Sequence, residues 1–276
     1  MKLFKKVAVV GVGLIGGSMA LDIKKKRLAG KIVGMTRSRK TVALARRHKV
    51  VDACSQDLEI IRGADLVVLA TPVNTIMDLA PKISRIVNRN CLVTDVGSTK
   101  QEIVLRLEKI FPHYIGSHPL AGSEKRGVAH ARAGIFRNSL CILTPTNKSK
   151  KEALGKMRQL WHLLDARVVV TSPSFHDRAL SFVSHLPHIV AFCLIDAIPR
   201  EYLTFGATGL KDTTRIASSE PELWRDIFMS NRKATLDAIA SFQNNLAKIK
   251  ELLRKKDIKR LDAFLSRAKN KRDTLK

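Results

Sequence analysis

The stretch VAVVGVGLIG, residues 7–16, joins a short apolar run to three glycines at the spacing GxGxxG. The run 7–10 is typical of a buried strand, and the residues that follow the glycines have the pattern of a helix. At such a turn Gly11 permits the tight bend, Gly13 lets the backbone approach a pyrophosphate, and Gly16 lets the helix pack against the strand. The helix N-terminus then offers free N–H groups to the anion. The candidate cofactor-binding residues of this turn are Gly11, Gly13, Leu14, Ile15 and Gly16.

Short apolar runs alternate with amphipathic stretches through the first half of the chain. The predicted strands cover residues 7–10, 32–35, 66–71, 91–95 and 114–117. The predicted helices between them cover residues 16–26, 39–48, 74–86 and 100–110. Two later runs, 139–143 and 167–171, are predicted edge strands. This alternation predicts an α/β fold with a doubly wound parallel sheet and helices on both faces, and the glycine turn makes it a Rossmann domain.

The pattern changes near residue 172. Ser172 and Pro173 form a typical helix start, and no convincing strand follows them. Residues 175–198 are predicted to be helical, and Pro221 opens a second, long helix. We therefore predict a Rossmann domain at residues 1–171 and an all-helical domain at residues 172–276.

Composition limits the possible functions. The apolar fraction of 45% in 276 residues is enough for a large core, and the four scattered cysteines form no metal-binding or disulfide pattern. We expect no secretory signal, no membrane span and no metal site, and therefore a cytoplasmic protein. The net charge of +26 is compatible with an anionic substrate or with a solvated basic surface. No nucleic-acid-binding motif accompanies that charge, so we expect no nucleic-acid partner.

The residues after the second predicted strand indicate which cofactor binds. An Asp or Glu that would hold the ribose hydroxyls of NAD is expected there, but the sequence has hydroxyl and guanidinium groups instead. This favours NADP, with NAD as the alternative and with ordinary surface arginines as the non-functional explanation. The next predicted strand ends at a position that should border the nicotinamide. The candidate residues at these two strand ends are Thr36, Arg37, Ser38, Arg39, Thr71 and Pro72.

Two further strand ends bring polar residues to the same edge of the predicted sheet. One carries Ser98, and the other carries His118 in what we predict to be a loop rich in glycine and proline. Ligands of doubly wound folds lie beyond the carboxyl ends of the strands, so His118 is placed where a nicotinamide meets a substrate. A lone histidine is more often structural, but this position favours catalysis.

Several blocks of sequence together resemble the prephenate/arogenate dehydrogenase family. They are GLIGGS at 13–18, DVGSTK at 95–100, GSHPLAGSEKRGV at 116–128, SHLPH at 184–188 and GLKDTTRIASSEPELWRDIF at 209–228. The resemblance implies removal of a hydride from the ring carbinol carbon of prephenate or arogenate, with loss of the ring carboxylate, in tyrosine biosynthesis. It does not indicate which of the two substrates is preferred.

The resemblance also implies roles for individual residues. His118 would be the base and Ser98 would help to orient it, because imidazole titrates near neutral pH. Arg215 and Lys211 would bind substrate carboxylates, for which a guanidinium is well shaped. The other residues that would line the substrate pocket are Ser123, Glu124, His185, His188 and Trp224. The helical region resembles the family's dimerisation domain and carries long apolar stripes, which predicts an obligate homodimer with intertwined C-terminal helices.

Alternative explanations exist for these features. Lys211 could pair locally with Asp212, His185 and His188 could face solvent, and Trp224 could belong to the core. The chain could be another Rossmann hydroxyacid dehydrogenase with a helical second domain, although such enzymes use a lysine base and residues 175–198 contain none. A basic nucleic-acid-binding protein is the alternative outside the enzymes, and only the charge favours it.

Overall fold

The computed structural model describes residues 2–122 and 127–275. Strand β1 (Phe4–Val10) leads through the glycine turn into helix α1 (Leu14–Lys25), as the sequence predicts. The elements that follow are β2 (Ala29–Met35), α2 (Arg39–Arg47), β3 (Ala53–Ser55), β4 (Leu66–Leu69), α3 (Val73–Ile86), β5 (Leu92–Asp95), α4 (Gln101–Leu107), β6 (Tyr114–Pro119), β7 (Leu140–Thr144), α5 (Lys151–Leu163) and β8 (Arg167–Val170).

The strands form one sheet in the order β3-β2-β1-β4-β5-β6-β7-β8. Both faces of the sheet are covered, because alternate residues of β1 enter different clusters of buried side chains. Val7 and Val9 pack with residues of α1, α2 and α5, whereas Ala8 and Val10 pack with residues of α3 and α4. The near-continuous apolar character of β1 follows from this double burial. The predicted doubly wound fold is therefore confirmed.

Four details of the predicted fold differ from the structure. Strand β7 is not an edge strand: it pairs antiparallel with β6 and parallel with β8. The connection from β6 to β7 contains a 3-10 turn (Val128–His130) and no α-helix among its described residues, so it lacks the crossover helix that usually joins parallel strands. The sequence prediction also omitted the short strand β3 and the helix α5. Finally, β6 extends to Pro119, so His118 lies in a strand and not in a loop.

The part of the chain after β8 is helical where the structure describes it. Its helices are α6 (Pro173–Leu180), α7 (Leu186–Asp196), α8 (Thr208–Thr214), α9 (Pro221–Ser230), α10 (Arg232–Arg254) and α11 (Ile258–Asp273). A π-helical turn at Ser181–His185 joins α6 to α7. The single long helix predicted from Pro221 is divided at Asn231, whose backbone leaves the helical conformation and whose side chain donates to the Asp177 carbonyl.

The chain divides into two compact units, residues 1–231 and 232–276. The predicted domain boundary at 171/172 is a different division and stays a prediction. One helical stretch of the described chain, Pro173–Asp196, has the length and composition of a membrane span, with only 22% of its most apolar window buried. The expectation that the chain has no membrane span stays a prediction. Length and composition alone do not distinguish a membrane span from a helix covered by protein.

Candidate active site

The carboxyl ends of four neighbouring parallel strands define the candidate site. Strands β1, β4, β5 and β6 are adjacent, and their residues pair in register toward these ends. The glycine turn follows β1, Thr71 follows β4 and Ser98 follows β5. His118 lies near the carboxyl end of β6. Parallel strands thus bring the predicted cofactor and catalytic residues to one edge of the sheet.

The glycine turn has the geometry that the sequence predicts. Gly11 has φ +100°, and a Cβ built on it would lie 2.5 Å from the Ala70 carbonyl oxygen. A Cβ on Gly16 would lie 2.2 Å from the Gly11 carbonyl oxygen, so this glycine sets the close approach of α1 to the turn. A Cβ on Gly13 would meet nothing within 4 Å. The space in front of Gly13 is therefore open to a ligand.

Two further features of this edge fit a dinucleotide. Helix α1 begins after Gly13 without a side-chain cap, so its first N–H groups are available to an anion. Thr71 is half-buried beside Gly11, and its Oγ1 is buried without a hydrogen-bond partner among the described residues. Unpaired buried hydroxyls are uncommon, and a ligand group here would satisfy this one. Pro72 is exposed and immediately precedes α3.

The segment after β2 presents the donors predicted to select the cofactor. Arg37, Ser38 and Arg39 are exposed, and Thr36 is half-buried. The Ser38 hydroxyl accepts the Thr41 N–H at 3.2 Å and so caps α2, which leaves its proton free for an anion. Gln56 donates from Nε2 to the Arg37 carbonyl oxygen and braces the segment. Local sequence does not indicate this bond, because it joins residues that follow two different strands.

His118 lies in the interior of the protein near the end of β6. Only 8% of it is exposed. Burial, followed by the neighbouring His176, Lys100 and His185, holds the pKa of His118 well below its ordinary value. The imidazole is therefore neutral at physiological pH and can accept a proton.

The ring of His118 is hydrogen-bonded to a histidine that sequence reasoning missed. His118 Nδ1 lies 2.8 Å from His176 Nε2, and His176 Nδ1 lies 2.7 Å from an Asp177 carboxylate oxygen. Both partners are buried on α6. No local motif marks them, because the contact joins residues 58 positions apart in the sequence.

The loop that carries Ser98 is anchored by a buried ion pair. Lys100 Nζ donates to the Asp95 carboxylate, and both side chains are fully buried. Asp95 also accepts the Tyr114 hydroxyl at 2.5 Å and the Gly97 N–H at 2.8 Å. Lys100 therefore has a structural role, whereas Ser98 itself is half-buried.

The helical half brings together the predicted aromatic residues of the substrate pocket. His185 is 1% exposed, and its ring lies 6.2 Å from Trp224 in an edge-to-face arrangement. The ring of His188 stacks on Trp224 with centroids 3.4 Å apart. His185 is buried, which removes the solvent-facing alternative for that residue, whereas His188 is half-buried. Burial lowers the pKa of His185 to about 4.

The predicted carboxylate-binding residues lie nearby. Arg215 and Lys211 are exposed, on the 3-10 turn Arg215–Ser218 and on α8 respectively, and both segments pack against α7. Burial lowers the pKa of His188, and the charge of Arg215 lowers it further, so this guanidinium is close to the ring. Ser123 and Glu124 lie outside the described residues.

A Rossmann turn and a buried neutral imidazole at the same edge of a sheet are typical of a dehydrogenase that uses a nicotinamide dinucleotide. Comparison with known proteins identifies its family. The family model for the prephenate dehydrogenase nucleotide-binding domain matches residues 19–170, and the model for the prephenate dehydrogenase dimerization domain matches residues 172–267. The chain therefore belongs to the prephenate dehydrogenase family.

Individual relatives agree with this assignment. A prephenate dehydrogenase of Bacillus subtilis is 35% identical, over 98% of this chain and 76% of that protein. The crystal structure of prephenate dehydrogenase from A. aeolicus in complex with hydroxyphenyl propionate and NAD⁺ has a TM-score of 0.94 and 35% identity, covering 99% of this chain and 98% of that one. Synechocystis arogenate dehydrogenase has a TM-score of 0.86 and 29% identity, with coverage of 97% and 99%.

Proposed function

We propose that this enzyme oxidises prephenate, or its amino analogue arogenate, with loss of the ring carboxylate as carbon dioxide. From prephenate the product is 4-hydroxyphenylpyruvate, a precursor of tyrosine. The observation that carries the proposal is His118, a buried neutral imidazole at the sheet edge that also holds the glycine turn. The similarity to enzymes named for prephenate and for arogenate supports the substrate class and leaves both substrates as candidates.

In the proposed reaction a protein side chain accepts the substrate's hydroxyl proton, and the cofactor accepts the hydride. His118 is the base that accepts the substrate hydroxyl proton as carbonyl character develops at the ring carbon. A nicotinamide dinucleotide held at the glycine turn would supply the hydride acceptor. Loss of the carboxylate makes the ring aromatic and drives the reaction forward. Ser98, on the loop after the neighbouring strand β5, helps to orient His118 and the hydroxyl.

A prephenate-like substrate carries two carboxylates, and the exposed cations of the helical half provide for them. Arg215 is the proposed principal carboxylate ligand because its guanidinium can form two parallel hydrogen bonds. Lys211 adds a second charge on α8, which also packs against α7. The stacked pair His188 and Trp224 forms an apolar wall of the pocket, with His185 buried behind it. Ser123 and Glu124 complete the proposed pocket by resemblance alone.

The segment after β2 supports NADP as the preferred cofactor. Thr36, Arg37, Ser38 and Arg39 offer hydroxyl and guanidinium donors to a 2′-phosphate, and none of them is a carboxylate that would repel it. The structure of the A. aeolicus relative contains NAD⁺, which keeps NAD as the alternative.

We further propose that the enzyme acts as a cytoplasmic homodimer. The match to a dimerization domain supports a second copy of the chain as the partner. An apolar helical stretch, Pro173–Asp196, would be covered by that copy and not by a membrane. The relative in Bacillus subtilis supports a bacterial biosynthetic setting, which does not require a membrane or a nucleic acid.

An assay of purified protein would test the proposed reaction. Prephenate and arogenate would each be combined with NAD and NADP, and formation of reduced nicotinamide would be followed by its absorbance. We expect turnover with at least one pair and a loss of about 10²-fold or more in kcat for His118→Asn, because a positioned base contributes about that much. The exposed His162→Asn is the matched control and should retain full activity. Cofactor binding without turnover on either substrate would contradict the proposal.

A further inference from the structure

Two buried hydrogen bonds connect the side chains of His118, His176 and Asp177 in series, and the proposed reaction does not by itself require them. We propose that His176 is a positioning residue, which fixes the tautomer of His118 so that Nε2 is the unprotonated nitrogen facing the substrate. This inference rests on the proposed function, because it concerns the residue that acts as base. It assigns a role to α6, which none of the predicted site residues occupies.

Because Asp177 is a carboxylate, it determines which nitrogen of each histidine ring carries the proton. A carboxylate can only accept, so His176 must donate from Nδ1 across the 2.7 Å contact. The neutral His176 ring then has its lone pair on Nε2, which accepts from His118 across the 2.8 Å contact. His118 therefore carries its proton on Nδ1. Its Nε2 is left as a lone pair, as a general base requires.

Asp177 is itself fixed from three directions. Its carboxylate accepts the Lys100 N–H at 2.7 Å and the Gln101 N–H at 2.9 Å, at the start of α4. Its carbonyl oxygen accepts from the Asn231 side chain at 2.7 Å. The carboxylate thus connects the loop of Ser98 to the ring of His118. Movement of α6 would disturb both proposed catalytic groups together.

The charges around the two rings reinforce the neutral state of both. Burial and the ammonium of Lys100 lower the pKa of each histidine, and Asp177 and Asp95 oppose this effect only at His176. His185, on the π-helical turn that precedes α7, also disfavours a charge on His118. A protonated His176 would carry a proton on Nε2 and could no longer accept the hydrogen bond from His118 Nδ1. The surroundings therefore favour the single arrangement Asp177–His176–His118.

Substitutions at position 176 separate positioning from packing. His176→Gln keeps an acceptor oxygen near the place of Nε2, whereas His176→Leu keeps the bulk and removes the acceptor. We expect the Leu variant to lose about 10²-fold in kcat with KM nearly unchanged. The tautomer of His118 would no longer be fixed, whereas the residues that bind the substrate would remain. The Gln variant should recover most of that loss, and His162→Asn should equal the unaltered enzyme. Equal losses in the Gln and Leu variants, or a loss confined to KM, would overturn the proposal.

Nitrogen-15 NMR of histidine-labelled protein tests the tautomer without turnover. Protonated and unprotonated ring nitrogens resonate far apart, and His118→Asn identifies the signals of that ring. We expect protonated Nδ1 and bare Nε2 on His118 in the unaltered protein, and a mixture of tautomers in folded His176→Leu. A protonated Nε2 in the unaltered protein would overturn the proposal. If the assay finds no turnover but the NMR finds the expected tautomer, then the reaction is wrong and the positioning by His176 stands.

Discussion

At the scale of single residues, burial of imidazoles couples the stability of the protein to pH. Burial is the main reason that the pKa values of His118, His176 and His185 lie below their ordinary value of 6.5. The unfolded chain therefore binds more protons than the folded protein once the pH falls below that value. Stability is complete above it and declines as the pH falls toward the folded pKa.

His185 allows this decline to be measured. Its folded pKa is about 4, so between ~pH 6.5 and ~pH 5 it should account for about 2 kcal/mol of lost stability. We expect His185→Asn to unfold with a visibly shallower pH dependence in urea titrations, while the exposed His162→Asn keeps the original slope. An unchanged slope in His185→Asn would show that this ring is not buried in its neutral form.

Sequence reasoning proposed site residues from local pattern and from resemblance, and it proposed none whose place depends on contacts between distant parts of the sequence. His118 was identified from its place beyond a predicted strand. Its partner His176 was not, because only folding brings α6 against β6. Lys100 shows the same limit, because the structure buries it completely against Asp95 and no sequence pattern indicated this. Burial of this kind depends on tertiary packing that no local spacing reveals.

At the scale of elements, the segment between β2 and α2 should control the choice of cofactor. Ser38 offers a matched pair of substitutions, because Asp and Asn both preserve its role as the cap of α2. Ser38→Asp adds a charge that accepts from ribose hydroxyls and repels a 2′-phosphate. We expect it to shift the ratio of kcat/KM for NADP over NAD toward NAD by about 10- to 10²-fold, the value of one charge-assisted hydrogen bond.

The neutral Ser38→Asn is the control for this shift. It retains the helix cap without a new charge, so its cofactor ratio should stay within a few-fold of the unaltered enzyme. If both variants change the ratio equally, the effect comes from the conformation of the segment and not from charge. A preference for NAD in the unaltered protein would contradict the proposed role of Arg37 and Arg39.

Elements were predictable where one local signal was sufficient. The unit β1–glycine turn–α1 followed from spacing alone, since the turn requires its glycines whatever surrounds it. The antiparallel pairing of β7 did not, because a strand's apolar pattern does not specify the direction of its neighbour. Similarly, Asn231 interrupts a continuous helical pattern because its side chain binds Asp177, a partner remote in sequence.

At the scale of the whole molecule, an apolar surface remains uncovered in the single chain. Most of the large apolar side chains that are exposed lie beyond residue 174, including Phe182, Val183 and Phe205. Helix α7 is apolar on nearly every side, and Ala191 is its only buried residue. Large exposed apolar patches on a soluble protein usually mark a site of interaction with another molecule. A second copy of the chain is the occupant that the match to a dimerization domain supports.

Light scattering coupled to size exclusion should therefore give twice the 30.7 kDa mass of one chain, even at the lowest concentration that can be detected. Val183 is 71% exposed on the turn before α7, and Val183→Glu would bury a charge in the proposed interface. We expect this variant to dissociate at low concentration or to lose thermal stability. Leu105→Glu, at a residue 48% exposed on α4, is the matched control and should remain dimeric. A monomeric mass for the unaltered protein would refute the dimer, and its apolar helices would then need a different covering partner.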